Sequence, residues 1–329
     1  MKDRLTNARK IRYYRLGRHA LLSGLKLLRI RPGDVVLMPA YICRDLLAPI
    51  HAVGAIPVFY AVDRKLRPVE LPDVQNVRAV LAVNYFGFPQ DLLPFRNYCL
   101  HHNAALIEDN AHGFLSQDTT GVFLGERGDL GIFSMRKTLR LPDGAALSVN
   151  KPEWQSRLEA QLPYRSESLP LGYWARYTLS KLQHQTGFIV MKMAQNTIRS
   201  IRRIRTGQEL SFSDPEDEFS MPANPEPHCR SLSILFRLDM AAEVIRRRIL
   251  YEKMHNLLRK VDIEPIFGDL PKGVVPYGYP FYADRQSVNK IKKISRGLGM
   301  DCIYWPDLPV TVEPVAPAHY RSVWLVNFI

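Results

Sequence analysis

A lysine and an aspartate stand at the ends of two apolar runs in the first half of this chain of 329 residues. Lys137 comes just past the run 130–133, and Asp109 closes the run 105–107. If both runs are parallel strands, the amine and the carboxylate face each other at one edge of the sheet. An amine can form a Schiff base with a carbonyl, and a carboxylate can keep a ring nitrogen protonated. These are the two groups that pyridoxal 5'-phosphate (PLP) requires of a protein.

Each member of this pair also has an ordinary structural interpretation. Lys137 could be a surface lysine near a strand end, and Asp109 could cap a helix or form a surface ion pair. We consider a surface role for Lys137 less favoured, because no other lysine occurs between Lys65 and Lys151. We therefore favour a Schiff-base role for Lys137 and a ring-nitrogen role for Asp109.

Three neighbours of the pair are candidates for supporting roles. Glu108 alternates to the other side of its strand, so we expect it to be structural. His112 is either a core histidine or a group that stacks on a cofactor or donates a hydrogen bond to it, and both interpretations stay open. Ser134, which follows the run 130–133, is a plausible donor to a phosphate.

A glycine at the start of the first strong helix suggests where a phosphate would bind. The segment Gly17-Arg18-His19 precedes a helical pattern with leucines on one face. Backbone N–H groups at a helix N-terminus bind phosphate, and glycine permits close approach. Arg18 either adds a charged contact or faces solvent.

Alternating strand and helix patterns indicate an α/β fold for residues 1–150. The predicted strands are 35–38, 57–60, 79–83, 105–109, 130–133 and 145–149. Because these runs are continuously apolar and separated by helices, we expect a mostly parallel sheet covered on both faces. Ligands bind at the carboxyl ends of such strands, which is where Gly17, Tyr41, Tyr85, Asp109 and Lys137 fall.

The second half of the chain is less regular. An acidic, proline-rich stretch at 211–227 is typical of a loop or linker. Asp239 should cap a helix over 240–260 that carries Arg246-Arg247-Arg248 on its outer side. We predict a large domain over 1–225 and a smaller α+β domain over 226–329. The last seven residues resemble an unfinished strand.

Composition narrows the class of protein. The charged N-terminus lacks a signal-peptide core, no apolar stretch is long enough to span a bilayer, and the four cysteines show no metal spacing. We therefore predict a cytoplasmic protein with reduced thiols. The net charge of +13 is concentrated partly in 171–206, predicted to be a helix with a solvated basic face, with membrane-surface or nucleotide-phosphate contact as the alternative. Nucleic-acid binding is not favoured, because basic and aromatic residues do not interleave.

A series of motifs resembles the DegT/DnrJ/StrS family of sugar aminotransferases, which are fold-type I PLP enzymes. The resemblance is good over about 15–150 and faint elsewhere. The segments that carry it, in order, are Arg31-Pro32-Gly33-Asp34 through Pro39-Ala40-Tyr41, Gly54-Ala55-Ile56-Pro57-Val58-Phe59 with Asp63, Asn84-Tyr85-Phe86-Gly87, Ile107-Glu108-Asp109-Asn110-Ala111-His112-Gly113, and Gly128-Asp129-Leu130-Gly131-Ile132-Phe133-Ser134.

The resemblance implies a three-layer αβα fold and a set of roles. Lys137 would form the Schiff base with PLP and act as acid–base catalyst, and Asp109 would pair with the pyridine nitrogen. His112 would take the place of a glutamine that contacts the ring. Ser134 and the Gly17-Arg18-His19 turn would bind the phosphate. The family implies a homodimer that transfers an amino group, usually from glutamate, to a nucleotide-linked keto-sugar.

Several positions depart from the family pattern. Only three positions separate Ser134 from Lys137, where the family usually has five, which a two-residue deletion explains. Cys43 stands where the family has an aromatic residue stacked on the cofactor ring, which leaves Tyr41 or another side chain to cover it. The family's phosphate-binding segment from the partner subunit is not recognisable, and Ser231-Leu232-Ser233 lies roughly there. The C-terminus lacks the family's final strand and helix.

Three other functions compete with amino-sugar synthesis. A PLP-dependent sugar dehydratase has the same fold, but that class typically replaces the lysine with histidine. A degenerate, non-catalytic relative is favoured by Cys43 and the short C-terminus. A nucleotide-binding Rossmann enzyme is rejected, because the glycines at 121–131 do not follow a strand with the required spacing.

Overall fold

The computed structural model describes residues 3–169, 173–174, 214–261 and 263–328. The basic segment predicted over 171–206 therefore lies outside the described residues, apart from Tyr173 and Trp174.

A seven-stranded sheet forms the centre of the larger unit. Its strands are β1 (Ile11–Tyr14), β2 (Val35–Pro39), β3 (Ile56–Tyr60), β4 (Val77–Val83), β5 (Ala105–Asn110), β6 (Leu130–Phe133) and β7 (Ala145–Val149). The strands lie in the order β1-β7-β6-β5-β4-β2-β3. The five from β6 to β3 are mutually parallel. At one side, β7 pairs antiparallel with β6, and β1 pairs antiparallel with β7. This confirms the predicted mostly parallel α/β sheet.

Burial of whole strands explains why these runs are so apolar. Every residue of β2, β5, β6 and β7 is buried, so both faces of the sheet are covered. Helices that contact the sheet contribute to this cover. The helices of this part of the chain are α1 (Asp3–Thr6), α2 (Gly17–Leu27), α3 (Ala48–Ala52), α4 (Leu93–His102), α5 (Met135–Thr138) and α6 (Pro152–Gln155).

A second, three-stranded antiparallel sheet belongs to the C-terminal part of the chain. It consists of β8 (Gly278–Tyr282), β9 (Asp301–Tyr304) and β10 (Val323–Asn327), in the order β8-β10-β9. The helices here are α7 (Cys229–Arg237), α8 (Met240–Arg259) and α9 (Arg285–Gly297). The strand predicted at the end of the chain is β10, which is the middle strand of this sheet and pairs on both sides.

Helix α8 begins as predicted but places one arginine differently. The Asp239 carboxylate accepts a hydrogen bond from the Ala242 N–H at 3.0 Å, which caps the helix. The prediction that Arg247 lies on the outer side is wrong, because its side chain is fully buried. Backbone carbonyls of two other segments and Glu243 surround its guanidinium, so the charge is compensated inside the protein.

The predicted boundary near residue 225 stays a prediction. Leu235 of α7 belongs to the same buried cluster as Ile11 of β1 and Phe133 of β6, so apolar contacts join the two parts of the chain. Among the described residues, no helix is long and apolar enough to cross a membrane. All four cysteines lie in described ranges and are free.

Candidate functional site

A cavity lies beyond the carboxyl ends of β4, β5 and β6. Its wall includes Val83 at the end of β4, Asp109 in β5 and Ile132 in β6. Seven of the nine residues predicted for the site line this cavity: Gly17, Arg18, Cys43, Asp109, His112, Ser134 and Lys137. The sheet therefore brings together residues that are up to 120 positions apart in the sequence.

Lys137 lies on α5, a single helical turn that begins directly after β6. Ser134 links the strand to the helix, and the Lys137 N–H donates to the Ser134 carbonyl at 3.0 Å. The Lys137 side chain is half-buried. Within the described part of the chain, its amine has no hydrogen-bond or ion-pair partner. An unpaired amine in a cavity wall is available to react with a carbonyl.

Asp109 lies one residue before the end of β5, opposite Ile132 of β6. Its carboxylate is buried and accepts a hydrogen bond from the Ala111 N–H at 2.9 Å. Burial raises the pKa of Asp109, while the Ala111 N–H and the charge of Lys137 oppose that rise. A buried carboxylate with so little compensation favours a cationic partner, such as a protonated ring nitrogen.

His112 is packed on both faces yet keeps one nitrogen free. Its ring lies 4.4 Å from the ring of Tyr277 and 5.6 Å from that of Phe86. The Phe86 N–H donates to Nδ1 at 3.4 Å, which places the proton of the neutral ring on Nε2. Among the described residues, the buried Nε2 has no partner. Burial, helped by the charge of Lys137, lowers the pKa of His112 well below 6.5, so the ring is neutral.

These contacts bear on both interpretations of His112. The stacked rings are what a core histidine would have, and the unpartnered Nε2–H is what a ligand-binding histidine would have. A buried donor without an acceptor is costly, and a ligand oxygen in the cavity would remove that cost.

Glu108 faces away from the cavity, as predicted. Its carboxylate is fully buried and forms an ion pair with Arg127 at 2.5 Å. The Asn84 amide donates to the same carboxylate at 2.8 Å. Since its charge is compensated by these partners, Glu108 has a structural role.

The start of α2 and the end of β6 meet at one side of the cavity. A β-carbon built on Gly17 would lie 4.0 Å from that of Ser134. No side chain caps α2, and its first turn contains no acidic residue. Uncapped N–H groups beside a serine hydroxyl form a suitable cradle for a phosphate.

Arg18 has an anionic partner within this cradle. Its guanidinium lies 3.1 Å from the carboxylate of Asp45, and both residues line the cavity. Arg136, which is exposed, also lines it. Two arginines thus flank the phosphate side, and Asp45 neutralises one of them.

Two predicted residues lie outside the cavity wall. The Tyr41 side chain is fully buried, and its hydroxyl donates to the Trp305 carbonyl at 2.7 Å. His19 Nε2–H donates to the Pro222 carbonyl at 2.9 Å. Neither prediction used these tertiary partners, which hold both rings away from the cavity.

The structure adds an aromatic residue that the sequence did not suggest. Trp305 follows β9 of the small sheet and lines the same cavity as Cys43. Its ring makes edge contacts with Phe86 at 5.0 Å and with His112 at 5.1 Å. Burial raises the pKa of the half-buried Cys43 thiol to about 12, so this residue is a small neutral group there. Trp305 therefore adds an aromatic side chain to the cavity wall.

A mostly parallel sheet with a cavity at the carboxyl ends of its strands is the architecture expected of a fold-type I enzyme. A sequence model of the DegT/DnrJ/EryC1/StrS aminotransferase family matches residues 16–273. Because this match spans most of the chain, the protein belongs to that family.

Individual relatives match to different extents. UDP-N-acetyl-3-dehydro-α-D-glucosamine 3-aminotransferase of Acidithiobacillus ferrooxidans is 30% identical over 123 residues, which are 36% of this chain and 33% of that protein. This match spans only a third of that relative's length. dTDP-4-dehydro-2,3,6-trideoxy-D-glucose 4-aminotransferase of Saccharopolyspora spinosa is 26% identical over 277 residues, 75% of this chain and 72% of that protein.

A solved structure shares the fold. The aminotransferase TlmJ from Streptoalloteichus hindustanus has a TM-score of 0.66 and 22% sequence identity, and the alignment covers 97% of this chain and 80% of that one. At this identity the likeness supports the architecture alone.

Proposed function

We propose that this protein is a PLP-dependent aminotransferase and that Lys137 holds the cofactor as a Schiff base. The observation that carries the proposal is the unpaired amine of Lys137 in the same cavity as the buried, poorly compensated carboxylate of Asp109. No other lysine or aspartate of the described residues lines this cavity except Asp45, which is paired with Arg18.

Three features of the cavity fit PLP beyond this pair. The unpartnered Nε2–H of His112 suits the phenolic oxygen of the cofactor. The uncapped start of α2 and Ser134 suit its phosphate. Trp305 offers an aromatic surface for its ring. When bound, PLP would supply an electron sink for the carbon atom that loses a proton.

With PLP bound, three residues of the cavity would have different roles. Asp109 would keep the ring nitrogen protonated, because it is the only buried acidic residue among the described residues that line the cavity. His112 would donate from Nε2 to the ring oxygen as a neutral imidazole, since burial lowers its pKa. The amine of Lys137 would be the base that removes the proton from Cα of the amino donor and, in the second half-reaction, the acid that delivers a proton to the acceptor carbon.

The substrate class rests on the relatives. The two relatives described above are named as aminotransferases of a UDP-linked and a dTDP-linked keto-sugar. We propose a nucleotide-linked keto-sugar as acceptor, glutamate as donor, and a homodimer as the working form. A dehydratase activity is less well supported, because Lys137 is a lysine and not the histidine of that class.

One observation favours a second candidate, a non-catalytic relative. Asp45 pairs with Arg18 at the phosphate side and would repel a phosphate. In that case the protein would keep the fold without binding the cofactor firmly.

Transamination by single turnover tests the proposal. Purified protein is loaded with PLP and mixed with L-glutamate, and the formation of pyridoxamine phosphate and 2-oxoglutarate is measured by chromatography. The proposal predicts both products in equal amounts from wild type and none from Lys137→Ala. The half-exposed Lys151→Ala serves as the matched control and should behave as wild type.

Asp109→Asn provides a second test of the aminotransferase against the non-catalytic relative. It should still bind PLP but should slow the half-reaction at least about a hundredfold, because an unprotonated ring is a poor electron sink. If neither wild type nor any variant retains PLP after dialysis, the result would support the non-catalytic relative and contradict the aminotransferase.

A further inference from the structure

Arg247 of α8 has a guanidinium with no exposed surface. It donates to Glu243 at 2.7 Å, to the Pro276 carbonyl at 3.1 Å and to the Tyr277 carbonyl at 2.8 Å. It also donates to the carbonyl of Thr138. One side chain thus joins a C-terminal helix, the segment before β8 and the end of α5.

Two of these bonds lead directly to the cavity. Thr138 follows Lys137 and is the last residue of α5. The ring of Tyr277 lies parallel to the ring of His112, with an angle of 1° between their planes. Arg247 therefore contacts the backbone next to Lys137 and the backbone of Tyr277, which stacks on His112.

Helix α5 needs such support. It has four residues, which is too short for a helix to be stable by its own hydrogen bonds. On its N-terminal side, Ser134 joins it directly to the last residue of β6, whereas on its C-terminal side Leu139 is already extended. The hydrogen bond from Arg247 to the terminal carbonyl fixes the end of the turn that the strand does not hold.

An ordinary structural role explains less of this arrangement. Burying an arginine is costly, and an apolar side chain of similar volume often gives equal or greater stability. A guanidinium, however, can donate to several carbonyls at fixed angles, which neither lysine nor methionine can do.

We propose that Arg247 is a positioning residue that sets the orientation of Lys137 and of His112 in the cavity. The proposal rests on the proposed function of Lys137. It predicts that Arg247 influences the amine even in cofactor-free protein, so it can be tested apart from catalysis.

The same helix provides a matched control. Arg248 donates to the Pro271 and Val274 carbonyls at 2.8 and 2.7 Å, in the same segment that Arg247 contacts. It has no contact with Thr138 or Tyr277 among its hydrogen bonds in the described residues. Arg248→Met thus removes two hydrogen bonds to backbone carbonyls but leaves the bonds of Arg247 to Thr138 and Tyr277 in place.

The experiment measures the reactivity of Lys137 in cofactor-free protein. Wild type, Arg247→Met, Arg247→Lys and Arg248→Met are treated with a trace of acetic anhydride, and labelling of Lys137 is quantified by peptide mass mapping. Exposed Lys290 is the internal reference. Folding of each variant is checked by its thermal unfolding transition.

We expect the ratio of Lys137 to Lys290 labelling to change at least about fivefold in both Arg247 variants and to stay at the wild-type value in Arg248→Met. Folded Arg247 variants with the ratio of Arg248→Met would overturn the proposal. Failure of both Arg247 variants to fold would also overturn it, because the residue would then be structural only. If wild type does not bind PLP but the ratio changes as expected, the proposed function fails and the positioning role stands.

Discussion

The imidazole of His112 and the phenol ring of Tyr277 lie 4.4 Å apart with their planes only 1° from parallel. Tyr277 belongs to the segment before β8, and its N–H donates to the Phe86 carbonyl at 2.8 Å. The residue just before the first strand of the small C-terminal sheet thus packs against the candidate site. This contact fixes the histidine ring while leaving its Nε2–H without a partner among the described residues.

His112→Phe should separate packing from hydrogen bonding at this position. Phenylalanine keeps a flat ring between Tyr277 and Phe86 but has no donor, so the fold should persist while PLP binds about tenfold more weakly. The dissociation constant is measured by absorbance titration.

Exposed His101 of α4 provides the control, and His101→Phe should bind PLP as wild type does. Equal affinity in His112→Phe and wild type would show that Nε2 makes no contact with the cofactor.

Asp109→Asn should raise the free energy of unfolding of the cofactor-free protein at neutral pH. Burial raises the pKa of Asp109, so the folded protein carries an unfavourable buried charge above that pKa. As pH falls through the raised pKa towards the ordinary value of 3.8, the folded wild type binds a proton and gains stability. The advantage of the variant should therefore shrink on acidification.

Urea unfolding at a series of pH values measures this difference. An advantage that does not change with pH would contradict it, and so would a variant that is less stable than wild type at neutral pH.

Asp45→Asn should strengthen cofactor binding. The Asp45 carboxylate lies 3.1 Å from the guanidinium of Arg18 and neutralises it. Without that charge, Arg18 is free for a phosphate and one repulsive anion is removed, so the affinity for PLP should rise about three- to tenfold. Exposed Glu153→Gln is the control for a change in net charge. A weaker or unchanged affinity would mean that the phosphate does not approach Arg18.

Local sequence predicted much of the sheet. The bounds of β6 and β7 match the predicted runs 130–133 and 145–149, because each is an unbroken buried strand between polar residues. Strand β1 was missed. Its four residues include Arg12 in a basic stretch, and they pair with β7, about 130 residues away. Only this long-range pairing defines the strand.

In the site, too, local sequence predicted some residues, whereas others depend on long-range contacts. Lys137 and Asp109 were predicted because each stands at a strand end, where neighbouring parallel strands place ligands. Trp305, Tyr277 and Arg247 come from the C-terminal part, and nothing in their local sequence indicates the cavity. The sequence left Tyr41 or another side chain as the aromatic residue of the site. The Tyr41 hydroxyl donates to the Trp305 carbonyl, and Trp305 lines the wall.

Borohydride trapping followed by peptide mapping tests the central claim most directly. Protein mixed with PLP is scanned for an absorption band near the visible edge, reduced with borohydride and digested, and the modified lysine is identified by mass spectrometry. The account predicts a band that reduction removes and a phosphopyridoxyl group on Lys137, absent from Lys137→Ala and present in Lys151→Ala. A protein without such a band, or with the label on another lysine, would contradict the account.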